Sequence, residues 1–300
     1  MIAVSHLSKS FGSFKAVDDL SFTVNKGDVY GFLGQNGAGK STTIRMLLSL
    51  IYPTGGTILF NGKNLQHNRN DILRRIGAVI ERPDLYKYLS AFDNLRIFAK
   101  MSGIKSDHAQ LMQTLERVGL ADRAKDKAGT FSQGMKQRLG IAIATVHHPD
   151  IILLDEPTNG LDPQGIAEIR EMIKGFARDF GKTVVVSSHL LSEIELMANR
   201  MLIIHKGRKM VEGDVQDLLH PEKTQVKLTC SNNQMAKQLL LSAQWSTYLQ
   251  ESADDIVLMM NKNKIPELVQ WLCQNQQEVY SITHRHTLED YFIRLTQNNS

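Results

Sequence analysis

Over roughly the first 65 positions, hydrophobic and polar residues alternate in short bursts separated by turn formers, which predicts short strands. Asp28–Leu33 reads as one strand, and Gly56–Phe60 followed by Asn61-Gly62 reads as the start of a hairpin. From about residue 85 to about 147 the apolar spacing changes to three and four. Asn94–Met101 and Ala109–Val118 carry it most clearly, which predicts helices. Ile151–Leu154 and Thr183–Val186 are unbroken apolar runs of strand length, suited to parallel strands covered on both faces. A helical pattern over Pro163–Asp179 separates them, giving a β-α-β order. Met201–His205 and Lys209–Glu212, joined through Lys206-Gly207, predict a closing hairpin.

The pattern changes after about His220. Thr224–Cys230 places Val226, Leu228 and Cys230 on one face of a strand, and Asn233–Leu241 is helical. Asp255–Met260 is a strand, Pro266 opens a helix through Cys273, and Glu278–Ile282 is another strand. Leu288, Tyr291, Phe292 and Leu295 form the apolar stripe of a last helix. The expected division is a main domain over 1–221 and a small α+β accessory domain over 222–300, with Trp245 and Trp271 packed in the core of the second.

Composition narrows the class. Hydrophobic residues make up 42% of the chain, enough to bury a proper core. The net charge of +4 is that of an ordinary solvated surface and does not point to nucleic acid. The two cysteines, Cys230 and Cys273, sit in no metal-type cluster and read as reduced thiols of a cytosolic protein. The start, Met1 to Ser10, lacks an apolar signal core, and no apolar run approaches the length needed to span a bilayer. Any membrane role is therefore expected to come through a partner.

One segment carries chemistry at once. Gly34-Gln35-Asn36-Gly37-Ala38-Gly39-Lys40-Ser41 fits the phosphate-loop pattern, and it lies between a strand and a helix beginning at Thr42, the context the pattern requires. Its glycines let backbone N–H groups turn inward on phosphate oxygens. Lys40 brings positive charge to the β- and γ-phosphates, and the hydroxyl of Ser41 is a ligand for Mg²⁺. The helix start adds a favourable dipole. Downstream, Ile151–Leu154 ends in Asp155-Glu156. A carboxylate at the end of a buried strand is costly unless it meets charge. Asp155 is suited to hold Mg²⁺ through water, and Glu156 to orient and deprotonate an attacking water.

With these motifs in place, the chain resembles the ATPase subunits of ABC transporters. Phe131-Ser132-Gln133-Gly134-Met135-Lys136-Gln137-Arg138 is similar to that family's signature, and Glu156-Pro157-Thr158-Asn159-Gly160-Leu161-Asp162-Pro163 to the segment called its D-loop. Ser188-His189 resembles its switch histidine. Phe11 resembles the aromatic that stacks on adenine, although a packed core aromatic is also open for Phe11, as it is for Phe14 and Phe22. The resemblance covers residues 1 to about 220. It implies a phosphate-loop α/β core with an antiparallel β subdomain and an inserted helical subdomain, followed here by the accessory α+β domain. It also implies ATP and Mg²⁺ as ligands. Catalysis would rest on Lys40, Glu156 and His189, nucleotide binding on Phe11, Gly34 to Thr42, Ser132, Gly134 and Asp162, and the metal on Ser41, Glu81 and Asp155. Two chains would pair head to tail in the presence of ATP, each lending Ser132 and Gly134 to the other's nucleotide, as a homodimer or with a similar ATPase. An integral membrane permease would be the partner, and the protein would sit in the cytoplasm on the inner face of the cell membrane.

There are departures. The family's usual glutamine after the strand near Ile76–Ile80 is matched here by Glu81, which adds charge and cannot donate a hydrogen bond. The signature reads Phe-Ser-Gln-Gly-Met where the family has Leu-Ser-Gly-Gly-Gln, keeping Ser132 and Gly134. Ile80-Glu81-Arg82-Pro83 with Tyr86, together with Gly134-Met135-Lys136-Gln137-Arg138, resembles the bacterial exporter branch that handles peptide antibiotics and drugs, as in bacitracin resistance. The segment Arg82 to Leu89 is open to two readings, a loop packed on the following helix or the lip of a groove for the membrane partner. The competing assignment is a soluble ABC-type ATPase acting on ribosomes or DNA. A single cassette and the lack of sustained heptads weigh against it.

Overall fold

The computed structural model describes residues 1–105, 107–218, 224–250, 252 and 255–286. These group into two compact units, Met1–Asp214 and the chain from Val215 onward.

The first unit opens with β1 (Ile2–Phe11) and β2 (Phe14–Val24), longer strands than the sequence suggests. Their register shifts at three places, between Val4 and Leu7, Leu7 and Lys9, and Lys9 and Ser10, and each shift breaks the period-two pattern that would announce them. β3 (Val29–Leu33) leads through a loop into α1 (Lys40–Leu47). β4 (Gly55–Phe60) and β5 (Lys63–Asn64) form the expected hairpin, and α2 (Arg69–Leu73) leads to β6 (Ile76–Val79). Three helices follow: α3 (Ala91–Met101), α4 (His108–Arg117) and α5 (Gln133–Thr145). The chain then returns through β7 (Ile151–Asp155), α6 (Pro163–Arg178), β8 (Thr183–Ser188), α7 (Leu191–Met197), β9 (Arg200–His205) and β10 (Arg208–Asp214).

Two sheets result. An antiparallel sheet has the order β2-β1-β4-β5, and a mostly parallel one has the order β10-β9-β3-β8-β7-β6. Every residue of β3, β7 and β8 is buried, as central strands covered on both faces must be. One apolar core joins the two sheets through α1, with Leu20 and Phe22 from β2, Phe32 from β3, Ile44 and Leu47 from α1, and Leu153 from β7. The three inserted helices have a core of their own, including Leu95, Leu115, Phe131 and Leu139. Their starts are set by side-chain caps. Ser90 accepts from the Asp93 N–H, Asp107 and Gln110 form a capping box, and Ser132 accepts from the Met135 N–H. α5 lies so close to the segment after β6 that a Cβ on Gly140 would come within 2.4 Å of the Pro83 ring.

The second unit contains α8 (Val215–Leu218), β11 (Thr224–Cys230), α9 (Asn233–Leu241), β12 (Ile256–Met260), α10 (Ile265–Gln274) and β13 (Val279–His286). Its sheet is antiparallel with β11 central. Trp245 is buried among Val226, Leu228, Ile256 and Leu272, while Trp271 is half-buried against the same cluster. Pro266 lies in the first turn of α10, where its missing N–H costs nothing. The expected stripe of Leu288, Tyr291, Phe292 and Leu295 lies outside the described residues. Among the described residues no helix is long and apolar enough to cross a membrane.

The packing of β6 on α5 yields a stability test. A Cβ at Gly77 would lie 1.9 Å from the Ala144 carbonyl oxygen, a backbone atom with little freedom to retreat. Gly77→Ala is expected to lower unfolding stability by about 1–3 kcal/mol or more, read as a shifted urea midpoint. A midpoint equal to the parent's would show that the contact yields freely.

Candidate functional site

The loop from Gly34 to Gly39 joins the C-terminal end of β3 to the start of α1, and tertiary packing leaves it little room. A Cβ on Gly39 would lie 2.6 Å from the Ala16 carbonyl oxygen, and the residue has φ +108°, which side chains rarely adopt. Gly34, Ala38, Gly39 and Lys40 are buried, Gln35, Ser41 and Thr42 are partly exposed, and Asn36 and Gly37 are exposed. With Gly39 as its cap, α1 begins without a side-chain oxygen on its first N–H groups. Those donors suit a phosphate. The Lys40 side chain folds back over the loop, donating to the carbonyl oxygens of Gly34 at 2.6 Å and Gln35 at 3.1 Å.

The same ammonium is 3.0 Å from Oε1 of Glu156. Glu156 follows β7, and its other oxygen, Oε2, is 2.8 Å from Nδ1 of His189 beyond the end of β8. Lys40, Glu156 and His189 thus form one continuous chain of contacts drawn from the start of α1 and the ends of β7 and β8. Glu156 holds a left-handed backbone with φ 49°, unusual for a side-chain-bearing residue, and its N–H donates to Ser187 Oγ at 2.8 Å. That serine donates in turn to Asp155 Oδ1 at 2.6 Å. Asp155 is 1% exposed, and its second oxygen, Oδ2, has no hydrogen-bond partner. A buried carboxylate oxygen left open beside a phosphate loop fits a metal-bound water.

Ser132, Gly134 and Asp162 come together elsewhere. They line a cavity of about 330 Å³ with Arg138, Gly160 and Glu168, and no residue of the phosphate loop takes part in it. Ser132 caps α5 and Asp162 caps α6, so each side chain is fixed by the helix it starts. A Cβ at Gly134 would meet nothing closer than Leu161 at 4.0 Å, so the helix start faces open space.

Phe11 is 51% exposed at the turn between β1 and β2, with the Lys9 ammonium 5.0 Å from its ring centre. Further along the same hairpin, the Ala16 carbonyl closes on Gly39. Phe22 enters the core, whereas Phe14 is exposed. Glu81 follows β6 with φ 58° and forms an ion pair with Arg45, one turn beyond Ser41 on α1. Beyond it a groove of about 600 Å³ runs between the core and the inserted helices, lined by Leu73, Ile80, Pro83, Leu85, Tyr86 and Phe98 among others. The Tyr86 ring is 5.9 Å from that of Phe98, so it both packs on α3 and lines the groove. Buried Asn94 staples this segment by accepting from the Tyr86 N–H and donating to the Tyr86, Leu89 and Ser90 carbonyls.

Two polar residues at the site escape sequence reading. Asn94 reads as one position of an amphipathic helix, and Glu193 as a charged residue beside the apolar Leu191 and Ile194. Both prove buried. A sequence signal exists for Glu193, a carboxylate among residues at core spacing, but it becomes visible only once the buried face of α7 is known.

The fold and the loop together define a phosphate-loop ATPase. The sequence pattern of the ABC transporter family matches residues 17–159. The chain is 42% identical over 298 residues to the bacitracin transport ATP-binding protein BcrA of Bacillus licheniformis, covering 98% of this chain and 97% of that one. It is 43% identical over 214 residues to the lantibiotic transport ATP-binding protein SrtF of Streptococcus pyogenes, covering 71% of this chain and 91% of the other. Among solved structures, an ATP-binding subunit of an ABC transporter superposes with a TM-score of 0.64 at 30% identity, over 73% of this chain and 91% of that one. A bacterial ABC transporter cassette solved as a dimer gives 0.65 at 26% identity, over 72% and 99%. The chain belongs to the ABC transporter ATP-binding proteins, and its chemistry is ATP hydrolysis.

Proposed function

We propose that this ATPase drives export of a drug or peptide antibiotic through a separate membrane permease, working as an ATP-dependent head-to-tail pair on the inner face of the cell membrane. The observation that carries the reading is the contact chain Lys40–Glu156–His189 at the phosphate loop. Names of near full-length relatives in bacitracin transport support the cargo class. The unit from Val215 onward, whose boundary composition puts near 222, is read as an accessory domain.

Phosphate groups compete with Glu156 for Lys40, because both are anions seeking one buried ammonium. Capture of Lys40 by the β- and γ-phosphates frees Glu156 to take a proton from water. The water oxygen then bonds to the γ-phosphorus while the bond to the ADP oxygen breaks, its electron pair leaving with ADP. His189 keeps Glu156 oriented through Nδ1. Backbone N–H groups of the loop and of α1 hold the remaining phosphate oxygens. Mg²⁺ would be held by Ser41, Asp155 and Glu81, and when bound it neutralises phosphate charge. Glu81 has its second oxygen, Oε2, to offer that set while Oε1 meets Arg45. Phe11 supplies a face for adenine. Ser132, Gly134 and Asp162 serve the nucleotide of the opposing chain, consistent with a cavity that excludes the phosphate loop. The groove behind Glu81 receives an apolar helix of the permease, with Tyr86 in its wall.

Three outcomes test this. Glu156→Gln is expected to bind ATP, accumulate as a dimer on size exclusion, and turn over about 10²–10⁴-fold more slowly; near-parental hydrolysis would remove the base assignment. Ser132→Arg and Lys40→Ala, each inactive alone, are expected to regain ATP-dependent cross-linking when mixed, because one hybrid site is intact. No cross-link in the mixture counts against head-to-tail pairing. Tyr86→Ala is expected to keep basal hydrolysis within about twofold while losing co-purification with the permease, since truncating a well-packed aromatic anchor typically costs more than ~1 kcal/mol of binding. Retained co-purification would leave Tyr86 a packing residue only.

A further inference from the structure

Glu193 is 7% exposed on α7, on a face shared with Leu191, Ile194 and Met197. α7 is held hard against the central strand, since a Cβ on Gly31 would lie 2.4 Å from Ile194 Cγ2. Burying a carboxylate is costly unless donors reach it, and here two hydroxyls do. Thr158 Oγ1 and Ser188 Oγ both donate to Oε2 of Glu193, each at 2.7 Å. Thr158 and Ser188 are themselves buried. Thr158 lies two residues after Glu156, and Ser188 immediately precedes His189.

This places a second grip on the loop that carries Glu156. Ser187 holds it from the upstream side by accepting the Glu156 N–H. On the downstream side the Ser188 hydroxyl donates to Glu193 while accepting the Leu190 N–H. Glu193 completes the link to Thr158. The left-handed backbone of Glu156 lies between the two grips, and such a conformation persists only where its surroundings over-determine it.

We propose that Glu193 is a positioning residue for hydrolysis: it ties Thr158 to Ser188 and thereby fixes Glu156 and His189 relative to one another. The inference rests on the reading that those two side chains act on the attacking water. It asks nothing of nucleotide affinity, which belongs to the phosphate loop.

The test uses the full-length chain, with kcat scaled to ATP-binding sites, KM for ATP, and amide hydrogen exchange over residues 156–162. Glu193→Ala is expected to lower kcat by about 10- to 100-fold, the scale of a small misplacement of a catalytic group. KM should stay within about twofold, because uniform binding is untouched. Exchange over 156–162 should quicken while that over 34–41 does not. Glu193→Gln keeps a carbonyl oxygen able to accept both hydroxyls and is expected to recover kcat to within about threefold. Thr158→Val, close in volume, removes one of the two donors and should give a smaller fall in the same direction, which serves if the alanine variant folds poorly. A parental kcat in both Glu193→Ala and Thr158→Val, a glutamine variant as slow as the alanine one, or unchanged exchange over 156–162 would each overturn the proposal. Full turnover in Glu156→Gln, with fast exchange in Glu193→Ala, would instead remove the base assignment and leave the tie between Thr158 and Ser188 standing.

Discussion

An ammonium that is only 5% exposed has to be met by oxygen atoms, and the position of Lys40 imposes that requirement on the first unit. Two carbonyls of its own loop and the carboxylate of Glu156 meet it. For the carbonyls to converge, the backbone must curl between β3 and α1 in conformations that glycine adopts. For the carboxylate to arrive, β7 must end on the same rim as β3, and it does so because β3, β8 and β7 run parallel in the sheet. The burial of three adjacent strands on both faces is therefore tied to the chemistry. It delivers the Asp155-Glu156 pair and His189 to one rim, and it removes the water that would otherwise solvate the charges.

The loop, the carboxylate pair and the histidine could be read from sequence because each is specified by contiguous residues at the end of an apolar run. What escaped depends on partners far along the chain. Arg45 reads as a solvated helix residue until β6 brings Glu81 to it. Glu193 and Asn94 read as polar positions on amphipathic helices until their buried faces are fixed by packing. Phe14 and Phe22 sit on one strand and could not be told apart, because the register shifts of β1 against β2 break the alternation that would sort them. In the second unit the strands of the core face were visible. β13 continues to His286, beyond the strand predicted over Glu278–Ile282, through polar residues such as Thr283 and His284, since an edge strand needs only one apolar face.

The residues that the family resemblance gives to the nucleotide fall, in the first unit, into two groups that do not meet. One surrounds Lys40. The other is the cavity of Ser132, Gly134 and Asp162, in which the Ser132 and Asp162 side chains are oriented by the helices they cap. Capping gives these residues two uses at once. The oxygen that satisfies its own helix also fixes the backbone donors beside it, so the second group is rigid before any ligand arrives. Preorganisation of that kind lowers the ordering cost of association between two surfaces.

The close approach of Gly140 to Pro83 gives α5 a pivot. Gly140 stands eight residues past Ser132, so the capped end lies roughly 12 Å from that contact at 1.5 Å per residue. A tilt of about 5° around it carries Ser132 by roughly 1 Å, the difference between a formed and a broken hydrogen bond. The proline belongs to the groove wall, and the serine lies at the far end of the same stiff rod. A glycine in mid-helix, usually a weakness, here lets the groove wall and the capped start of α5 share one stiff element, so that a shift at either end is felt at the other.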